Sequence, residues 1–250
     1  MNAFGKFIAK TLNRYDREAL LDILLKKHNF HKKEWFLQKL HRKIVISLSP
    51  KELFTLVYEK NLWGDPQSVS GPGSSLESTK EIRNTLPHLI KDYNMHSLLD
   101  IPCGDYNWMQ HVDLQNCTYT GADIVDRIIE INNQLFSDEN HGFLVLDIIK
   151  DDLPEVDLIL CRDCLVHLTF NDAKAALKNI RRSGSKYLLA TTFTECKINS
   201  QLGIDYWRPI NLEKQPFTFP RPVLIIRENC EQAQYKDKSL GLWRISDLLL

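Results

Sequence analysis

Between residues 97 and 193, five short apolar runs alternate with segments of helical periodicity. Short runs rich in Leu, Ile and Val are typical of strands buried on both faces, and strands that alternate with helices form a parallel sheet covered on both sides. The predicted strands are Ser97–Ile101, Thr118–Ile124, Gly142–Asp147, Val156–Cys161 and Lys186–Phe193, with Val223–Arg227 and Leu240–Ile245 as later candidates. The predicted helices lie at 76–93, near 106–112, at 125–136 and at 171–182. The pattern therefore predicts an α/β fold with a doubly wound, mostly parallel seven-stranded sheet.

The charge of the chain is unevenly distributed. The 250 residues contain 32 Lys and Arg against 32 Asp and Glu, but residues 1–60 hold 13 of the basic and only 6 of the acidic side chains. A neutral total disfavours a nucleic-acid-binding protein, which normally has a basic excess. No run of residues is long and apolar enough for a membrane span or a signal peptide, so we expect a cytoplasmic protein. The six scattered cysteines suit buried, reduced thiols.

The first 60 residues differ from the rest of the chain in composition as well as in charge. Helical periodicity over residues 3–29 and 34–46 predicts a basic N-terminal helical segment. This segment is expected to pack on the main domain or form a dimer contact, with peripheral membrane binding as the alternative. The predicted organisation is a helical segment at 1–62, a Gly/Ser/Pro loop at 63–75 and a main domain at 76–250. The Ser74-x-x-Glu77 pattern predicts a capping box for the first helix of that domain.

Three successive predicted strands end in aspartate, at Asp100, Asp123 and Asp147. Ligands of doubly wound sheets bind at the carboxyl ends of the strands, so these side chains should meet at one edge. The turn after the first strand has one glycine, Gly104, between Asp100 and Asp105, and two carboxylates there would repel a diphosphate. They suit a ligand with cationic groups, such as the sulfonium and ammonium of S-adenosylmethionine. Asp123 is placed to accept hydrogen bonds from both ribose hydroxyls, and Asp147 from an adenine amino group.

With these residues the chain resembles the class I S-adenosylmethionine-dependent methyltransferases over about residues 76–250. Residues 100–105 resemble their first motif, with Pro102 in place of the first glycine of D-x-G-x-G. The resemblance implies a Rossmann-like fold and S-adenosyl-L-methionine as the cofactor. It further implies cofactor contacts from these residues: Asp100, Pro102, Cys103, Gly104, Asp105, Trp108, Asp123, Ile124, Asp147, Ile148 and Arg162.

A narrower resemblance concerns a subgroup of bacterial and viral methyltransferases associated with glycan modification. Its motifs here are Trp63-Gly64, residues 70–75, 100–105, 163–168 and 207–212. By analogy, the resemblance implies O-methylation of a sugar or glycan hydroxyl. A small metabolite or a protein side chain as acceptor remains an alternative, as does a non-catalytic cofactor-binding or scaffold protein.

The segment after the fourth strand contains the candidate catalytic residues. His167 is the candidate general base for a hydroxyl acceptor, and Asp163 is the candidate group that orients its ring. The alternative is a structural histidine and a helix cap. Cys161, Cys164 and His167 also match a zinc-like spacing, but no fourth ligand follows at a suitable distance, so no metal is predicted.

Two loops are candidates for substrate and cofactor binding. Aromatic rings beside a guanidinium are suited to a sugar ring and its polar or acidic substituents, which makes Trp63, Tyr206, Trp207 and Arg208 candidate substrate residues. Hydrophobic packing over the sheet would use the same aromatics. The loop at 70–75 is expected to bind the cofactor carboxylate, cover the cofactor, or serve only as a linker.

Overall fold

The computed structural model describes residues 48–202, 206–230 and 232–249. The chain divides between Leu62 and Trp63 into two compact units. In the first unit, helix α1 (Pro50–Glu59) begins with a capping box in which Ser49 and Glu52 bond to each other's backbone N–H groups. The helices predicted at 3–29 and 34–46 lie outside the described residues. No helix among the described residues has the length and apolar character needed to cross a bilayer.

The second unit is built on one seven-stranded sheet, as the alternating pattern predicted. The strands are β1 (Ser97–Asp100), β2 (Thr118–Asp123), β3 (His141–Val145), β4 (Leu158–Cys161), β5 (Tyr187–Phe193), β6 (Leu224–Arg227) and β7 (Lys238–Arg244). Their spatial order is β3-β2-β1-β4-β5-β7-β6. The first five strands pair in parallel, and β7 runs antiparallel to both β5 and β6. Because β6 therefore runs in the same direction as β5, six strands end at one edge, where β7 begins.

Three helices of the second unit accompany the sheet: α2 (Lys80–Asp92), α3 (Asp126–Phe136) and α4 (Phe170–Arg182). The prediction of a Ser74–Glu77 capping box was wrong, because α2 starts four residues later than expected, with Thr79 at its N-cap position. The helix predicted near 106–112 is also wrong: a single 3₁₀ turn, Met109–His111, stands there. Further 3₁₀ turns lie at Pro72–Ser74, Leu165–His167, Ala233–Tyr235 and Ile245–Asp247.

The core lies in two layers on opposite faces of the sheet. Successive strand residues alternate between the layers, so that Leu99 and Ile159 pack in one and Leu98 and Leu158 in the other. These four side chains are at most 1% exposed, which is why the central strands read as continuous apolar runs. The buried centre fixes the strand ends, and with them the positions of the polar residues that follow.

Candidate active site

The turn after β1 closes tightly over the sheet edge. Gly104 has a φ of +55°, which glycine adopts without strain, and a Cβ atom there would lie 2.2 Å from Ser70 Oγ. Its N–H group donates to Asp123 Oδ2 at 3.2 Å, while its carbonyl accepts from Asn132 Nδ2 at 2.8 Å. The turn is therefore held between β2 and helix α3. Cys103 beside it is buried, and burial raises the pKa of its thiol.

The carboxylate of Asp105 anchors the loop that precedes the main domain. It accepts hydrogen bonds from the Ser68 hydroxyl at 2.9 Å, the Val69 N–H at 2.9 Å and the Ser70 hydroxyl at 3.2 Å. Further along the loop, Asn107 Nδ2 donates to the Ser74 carbonyl at 3.0 Å. The loop at 63–75 is thus fixed against the glycine turn by several independent contacts.

Asp100 and Asp123, at the ends of the two adjacent strands β1 and β2, are only 2% and 6% exposed. Asp100 accepts from the Tyr119 hydroxyl at 2.9 Å, and Asp123 accepts from the N–H groups of Gly104 and Val125. Burial raises the pKa of Asp100 to about 7, against the opposing effects of Tyr119 and Arg162. Burial likewise raises the pKa of Asp123 to about 6, against its backbone hydrogen bonds. Both carboxylates lie where negative charge is poorly compensated.

Asp147 lies two residues beyond its strand, because β3 ends at Val145 rather than at Asp147 as predicted. Its Oδ1 atom accepts from the Ile149 N–H at 2.9 Å, and its Oδ2 atom lies 3.1 Å from Nζ of the exposed Lys150. Ile148 beside it is buried. An acid and an apolar side chain thus stand together after the third strand.

Four charged side chains form what we call the charged cluster: Arg162, Asp163, Glu228 and Lys238. Arg162 Nε donates to Glu228 at 2.6 Å, and its Nη1 lies 3.3 Å from Asp163. Lys238 Nζ bridges the two acids, at 2.6 Å from Asp163 and 2.9 Å from Glu228. Although burial alone would raise it, Lys238 and Arg162 hold the pKa of Asp163 at about 2. The cluster therefore contains two cations and two anions in mutual contact.

The charged cluster also holds the loop at 63–75. Arg162 Nη2 donates to the Gly73 carbonyl at 2.8 Å, and the Arg162 guanidinium lies 5.6 Å from the ring centre of Trp108. A Cβ atom on Gly73 would lie 3.2 Å from Asp163 Oδ2, so a larger residue would press on the cluster. The loop and the ends of β4, β6 and β7 are consequently joined at one point.

His167 ends a 3₁₀ turn rather than a helix. Its Nδ1 atom lies 2.7 Å from the Tyr206 carbonyl oxygen, and its ring centre lies 5.5 Å from that of Trp63. Because a carbonyl can only accept, Nδ1 carries the hydrogen, and the lone pair of the neutral ring is on Nε2. Asp163 lies in the vicinity, and the electrostatic effect of His167 contributes to the low pKa of Asp163. Within the described chain, no three His, Cys, Asp or Glu side chains are arranged to hold a metal ion.

The segment after β5 packs on the core and reaches the His167 turn. Trp207 is half-buried, with its ring centre 4.7 Å from that of Tyr235. Arg208 is 2% exposed, and its guanidinium lies 4.6 Å from the ring centre of Phe170. The Arg208 N–H donates to the Val166 carbonyl at 3.2 Å. Hydrophobic packing therefore explains why Trp207 lies here. It does not explain why the guanidinium of Arg208 is buried.

Glu228, Lys238 and Tyr119 belong to the site but were missed from the sequence. Glu228 follows β6 and Lys238 begins β7, so both reach the edge where the parallel strands end. The directions of β6 and β7 could have revealed them. Because β7 runs antiparallel to β5 and β6, the end of β6 and the start of β7 lie beside the charged cluster. Tyr119 lies inside β2 and carries no motif.

The residues of the edge fit S-adenosylmethionine by their chemistry. The two buried acids Asp100 and Asp123 have raised pKa values, which a cationic ligand would relieve. Asp123 has accepted one backbone hydrogen bond on each oxygen, and a carboxylate can accept about four. It retains the capacity to accept from two ribose hydroxyls.

Comparison with known proteins gives one family match. A model of the methyltransferase domain family matches residues 99–184, from β1 to the end of helix α4. No curated protein matches the chain.

Two solved structures share the fold. The N-methyltransferase NodS from Bradyrhizobium japonicum WM9, in complex with S-adenosyl-L-homocysteine, is 14% identical with a TM-score of 0.56, over 75% of this chain and 97% of its own. Human N-acetylserotonin methyltransferase, in complex with SAM, is 15% identical with a TM-score of 0.56, over 93% of this chain and 67% of its own. At this identity the likeness concerns the fold. The chain therefore has a Rossmann-like methyltransferase fold, and the domain match over residues 99–184 supports an enzyme that uses S-adenosylmethionine.

Proposed function

We propose that the chain methylates a hydroxyl group of a sugar or glycan, with His167 as the general base. The observation that carries the proposal is the 2.7 Å contact between His167 Nδ1 and the Tyr206 carbonyl. It favours the tautomer in which Nε2 is the basic atom, and it involves the segment that contains three of the candidate substrate residues, Tyr206, Trp207 and Arg208.

The neighbouring charges support this assignment. Asp163, held ionised by Lys238 and Arg162, stabilises the imidazolium that forms when Nε2 accepts the proton of the acceptor hydroxyl. Asp163 thus acts on His167 through its charge, whereas the Tyr206 carbonyl, and not Asp163 as the sequence predicted, contacts the ring. When bound, S-adenosylmethionine supplies an electrophilic methyl group. His167 would accept the proton of the acceptor hydroxyl as its oxygen takes up that methyl group.

The cofactor would bind across the ends of the first three strands. We assign the cationic methionine portion to the glycine turn and Asp100, the ribose to Asp123, and the adenine to Asp147 and Ile148. Asp105 and Arg162 act by anchoring the loop at 63–75, because their polar atoms already contact that loop.

The acceptor would bind between Trp63 and the segment that begins at Tyr206. Trp63 is 38% exposed and lies against both Gly71 and His167, so one aromatic face is presented next to the proposed base. Aromatic faces of this kind stack on the apolar side of sugar rings, while ring hydroxyls require polar partners. Trp63, Tyr206, Trp207 and Arg208 supply both types of contact.

The test is the release of S-adenosylhomocysteine from the full chain when a panel of glycosides is added. Replacing His167 with Ala should lower the rate at least 100-fold, the usual contribution of general-base catalysis. Cofactor affinity, measured by calorimetry, should stay within about twofold. The matched control is His88→Ala, at an exposed position of helix α2.

Two results would contradict the proposal. Equal rates for His167→Ala and His88→Ala would show that His167 is not the base. Turnover with a protein or a non-sugar metabolite, and with no glycoside, would assign another acceptor class.

A further inference from the structure

Arg208 is a buried cation whose guanidinium has no hydrogen-bond partner among the described residues. Its side chain is 2% exposed, and none of its three guanidinium nitrogens has a hydrogen-bond partner among the residues that the structure describes. Burial lowers the pKa of Arg208 to about 10, so the group is still charged at neutral pH. Burying a guanidinium without an anion is strongly unfavourable.

The other buried arginine among the described residues, Arg162, is paired with anions. Arg162 is 6% exposed and contacts Glu228, Asp163 and the Gly73 carbonyl. Arg208 has only the ring of Phe170 beneath it, at 4.6 Å, and an aromatic face offers no lone pair to accept hydrogen bonds in the plane of the guanidinium. The in-plane N–H groups of Arg208 therefore have no acceptor among the described residues.

Backbone contacts place the segment that contains Arg208 beside His167, the proposed base. The Arg208 N–H donates to Val166, and the Tyr206 carbonyl two residues earlier contacts His167. Phe170 is the first residue of helix α4, whose N-terminus adds further positive potential. A negative group held here would lie beside the residue that accepts the acceptor's proton.

We propose that Arg208 binds a carboxylate or phosphate group of the acceptor, so that the substrate is an anionic sugar derivative and not a neutral one. The inference rests on the proposed function for the identity of that substrate. Arginine suits the task because its planar fork donates two parallel hydrogen bonds to a carboxylate or phosphate. Phe170 holds the guanidinium plane in position for this pairing.

The test is an NMR titration of the full chain labelled with [¹⁵N]arginine and loaded with S-adenosylhomocysteine. The Nε–H signal of Arg208 is assigned by its loss in Arg208→Gln, or in Arg208→Lys should the first variant not fold. The probes are sodium phosphate, sodium glucuronate and neutral glucose, each up to about 100 mM at an ionic strength fixed with sodium chloride.

We expect phosphate or glucuronate to shift the Arg208 signal in a saturable way, and glucose to leave it unchanged. The anion that saturates at the lower concentration identifies phosphate or carboxylate as the source. The same titration of Arg221→Gln, a substitution at an exposed arginine, should reproduce the wild-type shift. The proposal is overturned if neither anion moves the signal beyond sodium chloride alone.

The two proposals fail in distinguishable ways. An absent Arg208 shift in a protein that binds S-adenosylmethionine and releases S-adenosylhomocysteine with a neutral glycoside overturns the anionic substrate alone. A saturable shift in a protein that methylates no glycoside overturns the proposed sugar acceptor and leaves an anion site.

Discussion

Two buried carboxylates, Asp100 and Asp123, give the site its character. Each stands at the end of an apolar strand, where the backbone places it in the protein interior with little opposing charge. An acid in such a place is destabilising in the empty protein and becomes favourable when a cation binds. We therefore expect these two residues to favour the binding of a cationic cofactor.

Asp100 should make the stability of the empty protein depend on pH. Its pKa of about 7 in the folded state exceeds its ordinary value of 3.8, so the folded protein holds a proton that the unfolded chain releases. The resulting contribution to the free energy of unfolding is present in full below about pH 4. It is lost as the pH rises through about 7, by about 1.4 kcal/mol per pH unit. Urea unfolding between pH 5 and 8 should show wild type losing stability relative to Asp100→Asn. Parallel pH profiles for the two proteins would contradict this assignment.

At the scale of elements, the β6–β7 hairpin completes the site that β1 to β4 begin. The antiparallel strand β7 starts where β5 ends, with Lys238 paired to Phe193 in register, and Glu228 follows the end of β6. The hairpin thereby brings one cation and one anion to Arg162 and Asp163. Through Arg162, this arrangement also fixes the loop at 63–75.

Replacing Lys238 with Met should destabilise the protein by about 3 kcal/mol, since Asp163 and Glu228 would be left buried with one cation fewer. The control is Lys236→Met, which removes the same charge at an exposed position two residues earlier. Urea unfolding at pH 7 measures both. Equal free energies of unfolding for the two variants would mean that Lys238 does not stabilise Asp163 and Glu228.

The elements that the sequence predicts well are those that the core determines. All seven strands were predicted within three residues at each end, because buried strands have a recognisable apolar pattern. The predictions were wrong where polar contacts determine the local backbone structure. Residues 106–112 pack against the sheet edge without a full helix, and Ser74, the expected cap, has its carbonyl bonded to Asn107.

The candidate site was predictable only in part for the same reason. Asp100 and Asp123 are found from sequence because a strand end is a local feature. Glu228 and Lys238 are not, because Glu228 contacts Arg162 and Lys238 contacts Asp163 across at least 66 residues of sequence, and those contacts depend on the direction of β6 and β7. Whether each of the predicted residues contacts cofactor or substrate remains a prediction.

For the whole molecule, the neutral net charge is the sum of two unlike parts. The acidic excess lies after residue 60, in the part that holds the buried acids, and the basic excess lies before it. The second unit brings together one loop, the ends of six strands and one hairpin at a single edge. The proposed sites for the cofactor and the acceptor both lie at this edge.

Isothermal titration calorimetry with S-adenosylmethionine tests cofactor binding at this edge most directly. Wild type should bind, and Asp123→Asn should bind at least about tenfold more weakly, because the carboxylate that would accept both ribose hydroxyls is lost. Asp113→Asn, at an exposed turn, should match wild type. Absence of binding to wild type at millimolar cofactor, or equal affinity of Asp123→Asn and wild type, would contradict the site described above.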